Sequence, residues 1–411
     1  MQSFLNSELL LGDEILKPET RIYIDAVLQN MKNILFFMFL PILIARLGAS
    51  PLEITLSTSL PPLMSAISVV FVTRLLPCNF KVYYSAGILR QMAFLCIAFA
   101  VLLPHSIAWI LVFWSINCIV VMILNVQQHS LIKHNVAESN MSTLFGNIRI
   151  IAILVTIVCS YSASTLLDRY DTIFPYNYFI CMIIGAVCTF TGMNLMARLA
   201  PKESKKIKLQ WKPPLRRLSP FLIMVGFMSL GGALPGSLWV IYHVNVLHFS
   251  NMQIALFSIC SGVVSAICIP LGRRWIKRFG YRNTLLTGYA LLMCTVSLYG
   301  LSHTYAVLLG LQIVRDLIGS FTGIAQETLS IEESRKHEDE AGFFSDVALL
   351  TNVGGALGPF AGMLMLQLFN IQTCFVLLGV IALVPAAWFV FRMNEKSQPK
   401  PGQIEMVPLV K

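Results

Sequence analysis

The chain has 411 residues, of which 56% are hydrophobic and only 12% are charged. A soluble domain of ordinary composition is about half apolar and about one quarter charged. The apolar residues are enough for about a dozen membrane-spanning helices of about 20 residues each. These proportions exclude a soluble enzyme, a disulfide-stapled secreted domain and a disordered chain. They predict a multi-pass protein whose environment is the lipid bilayer.

The net charge of +10 comes from short basic blocks that lie between apolar runs. Two of these blocks span residues 198–217 and 273–282. Lys and Arg in short loops remain on the cytoplasmic side of a membrane, so the blocks predict the topology of the chain. The basic residues therefore indicate orientation, and no nucleic-acid partner is expected.

Twelve apolar runs follow one another, and each is predicted to form a helix. The first six lie near 25–47, 52–74, 83–103, 106–131, 143–166 and 175–197. The second six lie near 217–245, 252–272, 283–301, 304–328, 342–368 and 371–392. We predict an all-α membrane protein with one six-helix bundle over 25–197, a cytoplasmic loop over 198–216 and a second bundle over 217–392. Segments 1–24 and 393–411 are expected in the cytoplasm, beneath a bacterial-type inner (plasma) membrane.

The two halves of the chain are similar in sequence. A shift of 200 residues aligns the second helix with the eighth and sets Ser50 against Ser250. A further slip of two residues aligns Gln128 with Gln326. Duplicated six-helix halves around a site near the membrane midplane are typical of transporters.

Three local motifs accompany this layout. They are Arg278-Phe279-Gly280-Tyr281-Arg282, Arg315-x-x-x-Gly319-x-x-x-Gly323 and Gly354-x-x-x-Gly358-Pro359-x-x-Gly362. With these motifs the chain resembles the major facilitator superfamily over essentially its whole length. The resemblance implies two pseudo-symmetric bundles around a central cavity lined by the first, fourth, seventh and tenth helices. It also makes Lys277, Arg278 and Gly280 candidates for gating, with Lys277 in place of the usual acidic residue.

The tenth helix carries charge in the middle of the membrane. Gln312, Arg315 and Asp316 share one helical face. A charged side chain at this depth costs about 2.5–3.5 kcal/mol on insertion scales, so it needs a partner or a wet cavity. Either Arg315 meets an anionic substrate or a protonatable acid, or Arg315 and Asp316 form a fixed pair that holds helices together.

The other three helices expected at the cavity also carry polar side chains. In the first helix, Asp25, Gln29, Lys32 and Asn33 share a face, and Lys32 either reaches the cavity or extends to the headgroups. The fourth and seventh helices add five cavity candidates, and the tenth adds the three above. The five are Asn117, Asn125, Gln128, Trp239 and Tyr242. By contrast, the third, ninth and twelfth helices are expected to face lipid.

Two further features concern the interface between the halves. Arg149 and Asp346 occupy similar places in the fifth and eleventh helices. They either pair across the cytoplasmic side when that side closes, or reach loop water from helix ends. The ridge of Gly354, Gly358 and Gly362 beside Pro359 indicates tight helix packing. It would also suit an interface that moves.

The sequence contains no nucleophile–base pair, phosphate-binding loop or metal-ligand spacing. We therefore expect no enzyme activity, no cofactor and no metal. The expected function is secondary transport by alternating access, as proton-coupled efflux of an amphipathic small molecule by a monomer. Two alternatives remain open at this point: proton-coupled uptake of an organic anion through Arg315, and a transport-inactive membrane sensor or assembly protein.

Overall fold

The structure is a computed structural model that describes residues 17–72, 80–136, 138–199, 215, 219–335 and 340–384. Most of the predicted segments 1–24 and 198–216, and all of 393–411, lie outside the described residues. We call the side of the membrane at which the first helix begins the terminal side, and the opposite side the far side.

The described residues are helical and form the predicted all-α membrane fold. The helical segments of the N-terminal half are α1 (Pro18–Arg46), α2 (Pro51–Ile67, continued by Ser68–Val72), α3 (Phe80–Ala100), α4 (Ser106–Asn135), α5 (Glu138–Arg169) and α6 (Tyr176–Ala197). Those of the C-terminal half are α7 (Pro220–Val246), α8 (Asn251–Phe279), α9 (Tyr281–Tyr299), α10 (Tyr305–Ser334), α11 (Glu340–Leu368) and α12 (Ile371–Ile381). Nine of these described helices are long and apolar enough to cross a membrane. The arrangement is consistent with the twelve predicted spans.

Helix α1 begins at Pro18, earlier than the predicted start at residue 25. Proline suits the first turn of a helix because its missing N–H would have no partner there. Glu19, also in this turn, complements the positive end of the helix dipole. Hydropathy marks only the apolar part of such a helix, so the polar first turns were missed.

Helices α1 and α7 are both interrupted within the membrane. In α1, π-helical turns span Asn33–Met38, and in α7 they span Ile241–Val246. Helix α7 is also broken near Pro235, which has no N–H to donate to the preceding turn. Since π-turns are rare and often lie at functional sites, the interruptions draw attention to these two helices.

The two halves begin their second helix in the same way. Ser50 accepts a hydrogen bond from the backbone N–H of Glu53, whose side chain accepts from the Ser50 N–H in return. Ser250 and Gln253 form the same reciprocal cap at the start of α8. The cap recurs at the offset of 200 residues that aligns the halves in sequence.

The halves meet mainly through two helix pairs, α2 with α11 and α5 with α8. In the first pair, Gly355 lies against Pro62, and a Cβ on this glycine would stand 3.3 Å from the proline Cβ. Part of the far-side interface is apolar, because Ile241 and Ala255 of the C-terminal half are buried in the core of the N-terminal half.

The glycine ridge of α11 packs within its own half. A Cβ on Gly358 would lie 2.7 Å from the Ala233 backbone of α7, and Gly354 meets α7 equally closely. Gly362 faces the Leu234 carbonyl. In this conformation the ridge therefore lies within the C-terminal half and not between the halves. Sequence spacing shows which glycines share a face but not which helix they contact.

Candidate functional site

A cavity of about 340 Å³ lies between α1, α4 and α5. It contains six of the predicted candidates, namely Asp25, Gln29, Lys32, Asn33, Asn125 and Gln128. Asn30 completes the polar half of the wall, while Ile22, Phe37 and Val121 contribute to its apolar half. Asn33 and Asn125 are exposed although both lie well inside their helices, so the cavity is open to solvent.

The Asp25 carboxylate is held at the wall of this cavity by two amides. Gln29 Nε2 donates to Asp25 Oδ1 at 3.1 Å, and Gln128 Nε2 of α4 donates to Oδ2 at 2.9 Å. The residue is only 1% exposed. On its other side is Gly192 of α6, where a Cβ would lie 2.5 Å from Oδ1. Glycine at this position therefore permits the close approach of α6 to the carboxylate.

Two buried cations lie near Asp25. The Lys32 ammonium stands over the Phe37 ring, 4.6 Å from its centroid, and Lys32 is 5% exposed. Its side chain is thus at the cavity and does not extend to the headgroups. Arg90 of α3 is also buried and interacts electrostatically with Asp25 and Lys32. The expectation that α3 only faces lipid is wrong for Arg90, and the missed signal was an arginine inside an apolar run.

The C-terminal half holds a second polar cluster, built around Arg315. The guanidinium carbon lies 4.9 Å from the Trp239 ring centroid, and Nη1 donates to Gln312 Oε1 at 3.3 Å. Gln312 Nε2 in turn contacts both carboxylate oxygens of Asp316, at 3.1 and 3.0 Å. Ser261 of α8 lies close to the Asp316 carboxylate and interacts with it. In the described part of the chain, no carboxylate forms an ion pair with Arg315.

Two candidates lie outside both clusters. Tyr242 is fully buried, and its hydroxyl donates to the Ser302 carbonyl at 2.7 Å, near the far-side end of α7. Asn117 is 1% exposed and does not line the cavity. Its amide atoms have no hydrogen-bond partner within the described residues. In this conformation both residues are buried and lie away from the cavity.

The charged gating candidates are not joined to one another in this conformation. Arg149 is exposed, and the Asp346 carboxylate instead accepts from the backbone N–H of Leu215 at 2.9 Å. Lys277 and Arg278 are exposed in the last turn of α8. Gly280 follows with φ +80°, a left-handed value that favours glycine, and so allows the sharp turn into α9.

A polar cluster that the sequence analysis did not single out joins the halves on the far side. Asp168, at the end of α5, accepts from the backbone N–H of Asn251 at 2.9 Å and of Met252 at 2.8 Å, and from the Asn251 amide at 2.8 Å. The Tyr178 hydroxyl donates to the side-chain Oδ1 of Asn251 at 2.7 Å. Arg46 Nη2 donates to the Phe249 carbonyl at 3.3 Å. These contacts close the far side, whereas the cavity lies toward the terminal side.

The sequence position of Asp168 could have indicated its role on the far side. An aspartate in the last turn of a helix is unfavourable, because the helix dipole places partial negative charge there. Asp168 at the end of α5 therefore requires a compensating partner, and the N-terminus of α8 provides one. Which helix supplies that partner depends on the packing of the two halves.

Comparison with known proteins supports this description. The family model described as Major Facilitator Superfamily matches residues 218–410. No curated protein sequence matches the chain. The solved structures that it resembles include the nucleoside transporter NupG, with TM-score 0.70, 14% identity and coverage of 93% of this chain and 100% of that one.

Two bacterial transporter structures also resemble the fold of this chain. A bacterial homologue of the iron transporter ferroportin in its inward-facing state has TM-score 0.72 and 14% identity over 92% of this chain and 99% of that one. A bacterial metal transporter has TM-score 0.67 and 13% identity over 92% of this chain and 100% of that one. At these identities the likeness concerns the fold.

Proposed function

We propose that this chain, which belongs to the major facilitator superfamily, is a secondary transporter that exports an amphipathic small molecule in exchange for protons. One observation carries the proposal. Asp25, a carboxylate inside the membrane, lines a solvent-accessible cavity on the terminal side while the far side is closed. A site with access from one side is the arrangement from which alternating access starts.

Coupling to protons is supported by the partners of Asp25. Its two hydrogen bonds come from neutral amides, those of Gln29 and Gln128. A proton can therefore arrive from cavity water without breaking an ion pair, because each amide can turn its carbonyl oxygen toward the protonated acid. A substrate donor that displaces Gln128 would favour the charged carboxylate. Release of the proton and binding of the substrate are then linked at the Asp25 carboxylate.

The wall of the cavity supports an amphipathic substrate. Amide side chains from α1 and α4 line a cavity of about 340 Å³ together with apolar groups such as Phe37, Val121 and Phe145. Small-molecule sites of about 300–1,000 Å³ typically combine an apolar wall with a few polar groups that fix orientation. A molecule with one hydrogen-bonding end and one apolar end satisfies both parts of this wall.

The test uses proteoliposomes loaded with a pH-sensitive dye. Amphipathic compounds that raise the unfolding temperature of the purified protein are added outside, and the internal pH is followed. We expect wild type to move protons in response to at least one compound. Asp25→Asn should lose this response, while the matched control Glu327→Gln, an exposed carboxylate in α10, should retain it. A normal response in Asp25→Asn would contradict the proposal.

The same experiment addresses the alternative functions. A compound that stabilises the protein but moves no protons would favour a transport-inactive sensor. Acidification that accompanies inward movement of an organic anion would favour uptake by symport. The observation that supports this second function is Arg315, a guanidinium in the membrane that is bound by a neutral amide.

A further inference from the structure

We infer that Arg315 and Trp239 form a second binding station, which takes the carboxylate of an organic monoanion and stacks its planar apolar body near the indole. The inference rests on the proposed function and names the substrate class. It is carried by the geometry of the C-terminal cluster, whose donors and acceptors are distributed unevenly.

Arg315 has donor capacity to spare. A guanidinium presents five N–H groups in a fixed fork. Here its described hydrogen bond is that from Nη1 to Gln312, and at 3.3 Å that bond is long. Arg315 is partly exposed, and no other hydrogen bond of its guanidinium is described. A carboxylate fits this fork because two parallel N–H···O bonds can form at once.

The neighbouring acid is occupied elsewhere. Gln312 lies between the two charges, donating its amide to Asp316 and accepting from Arg315 with its carbonyl. Ser261 of α8 is a further neighbour of the Asp316 carboxylate. This arrangement does not match the fixed Arg–Asp pair considered from the sequence. The positive charge of Arg315 is therefore left for a ligand. Until a ligand binds, Arg315 and Asp316 together keep the net charge of the cluster near zero.

Trp239 provides a fixed platform. Its ring meets Tyr299 edge-on at 4.2 Å between centroids and Phe375 at 4.8 Å. Tyr299 is itself held by His243, whose Nε2 lies 2.6 Å from the tyrosine hydroxyl. An indole locked by α9 and α12 loses little freedom when a ring stacks on it. Such preorganisation favours planar apolar groups.

The charge of the cluster selects the ligand. Arg315 is the single Lys or Arg among the described groups that make up this cluster, and Asp316 contributes a carboxylate beside it. A phosphate dianion would meet one cation and one nearby anion. A monocarboxylate needs only the one guanidinium, so the site favours it over more highly charged groups.

The station is separate from Asp25. Helices α4 and α10 both run from the far side to the terminal side, and Arg315 lies about 15 Å along α10 at 1.5 Å per residue. Gln128, which binds Asp25, lies about 33 Å along α4. The two polar sites thus differ in depth by about 18 Å. A small anion would occupy them in turn during transport.

The experiment measures binding of a matched pair of probes, 1-naphthoate and 1-naphthamide, to the purified full-length protein. The two probes share a ring system and differ in the charge of one group. Thermal unfolding at increasing probe concentration gives both affinities. We expect wild type to bind naphthoate at least tenfold more tightly than naphthamide.

The variants assign that preference to Arg315. Arg315→Gln should reduce it to about equal affinities, and Arg315→Lys, which keeps the charge but loses the fork, should retain part of it. The control Arg274→Gln, at an exposed site in α8, should behave as wild type. A cooperative unfolding transition in each variant shows that it is folded. Equal binding of the two probes by wild type, or a full preference in Arg315→Gln, would overturn the inference.

Failure of this inference differs from failure of the proposed function. Compound-driven proton movement without any naphthoate preference would remove the anion station and leave transport standing. A naphthoate preference that depends on Arg315, without proton movement by any stabilising compound, would leave the station and remove proton-coupled transport.

Discussion

Asp168 holds the far side closed, so Asp168→Asn should open it. The carboxylate accepts three hydrogen bonds at 2.8–2.9 Å from the start of α8. Hydrogen bonds to a charged group contribute about 1.5–3 kcal/mol each. Asparagine keeps one acceptor oxygen but places an NH₂ group against the N–H donors at the start of α8, which weakens the closed state. Part of this loss is recovered in the open state, because the N–H donors bind water there. We therefore expect a net loss of about 2–3 kcal/mol for the closed state, a population shift of roughly 30- to 150-fold.

The shift can be measured as a distance between spin labels. Leu103 and Leu301 lie at the far-side ends of α3 and α9 and are 53% and 67% exposed. Labels on cysteines at these positions, in a background without other accessible cysteines, report the separation of the halves. Asp168→Asn should add a population with longer distances.

Asp171→Asn is the matched control for this measurement. Asp171 is a nearby acid that pairs with Arg46 at 3.7 Å, and its own carboxylate is largely exposed. Such pairs contribute at most about 1 kcal/mol, so the distance distribution should change little. The reasoning is refuted if Asp168→Asn keeps the wild-type distribution, or if Asp171→Asn opens the far side to the same extent.

Two further predictions concern glycines. Gly192→Ala places a Cβ 2.5 Å from Asp25 Oδ1 and should lower compound-driven proton flux at least tenfold. The control Gly146→Ala has open space around its Cβ and should keep the wild-type flux. Equal fluxes in the two variants would contradict the placement of α6 beside Asp25. Gly358→Ala should lower the unfolding temperature, because overpacking against a backbone costs about 1–3 kcal/mol. The Cβ of Gly319→Ala meets nothing within 4 Å, so this variant should keep the wild-type unfolding temperature or raise it. A fall in unfolding temperature as large as that of Gly358→Ala would contradict the account.

Much of the fold follows from the sequence, because hydropathy and helical periodicity are local properties. The apolar runs predict the helices in order, and the repeat at 200 residues anticipates the matching caps of Ser50 and Ser250. The spacing of Asp25 and Gln29 by four residues places them on one face, and the structure joins them by a hydrogen bond. Within a single helix, the sequence is therefore a good guide.

Contacts between helices follow less well from the sequence. Arg90 lies in a helix expected to face lipid, and only the packing of α3 turns it toward Asp25. Gly354 and Gly358 share one helical face, as predicted, but that face packs on α7 of the same half and not on the other half. Asp168 finds its partner in a helix more than 80 residues away in sequence. Each of these outcomes depends on rotation and neighbour choice, which periodicity leaves open.

The central claim is that Asp25 carries the coupling proton in a cavity that also binds substrate. The most direct test compares two modes of transport in Asp25→Asn proteoliposomes, using a compound that wild type transports. We predict that the variant still exchanges labelled for unlabelled compound across the membrane but no longer moves it against its gradient when a pH difference is applied. Accumulation driven by the pH difference at the wild-type level would contradict the claim.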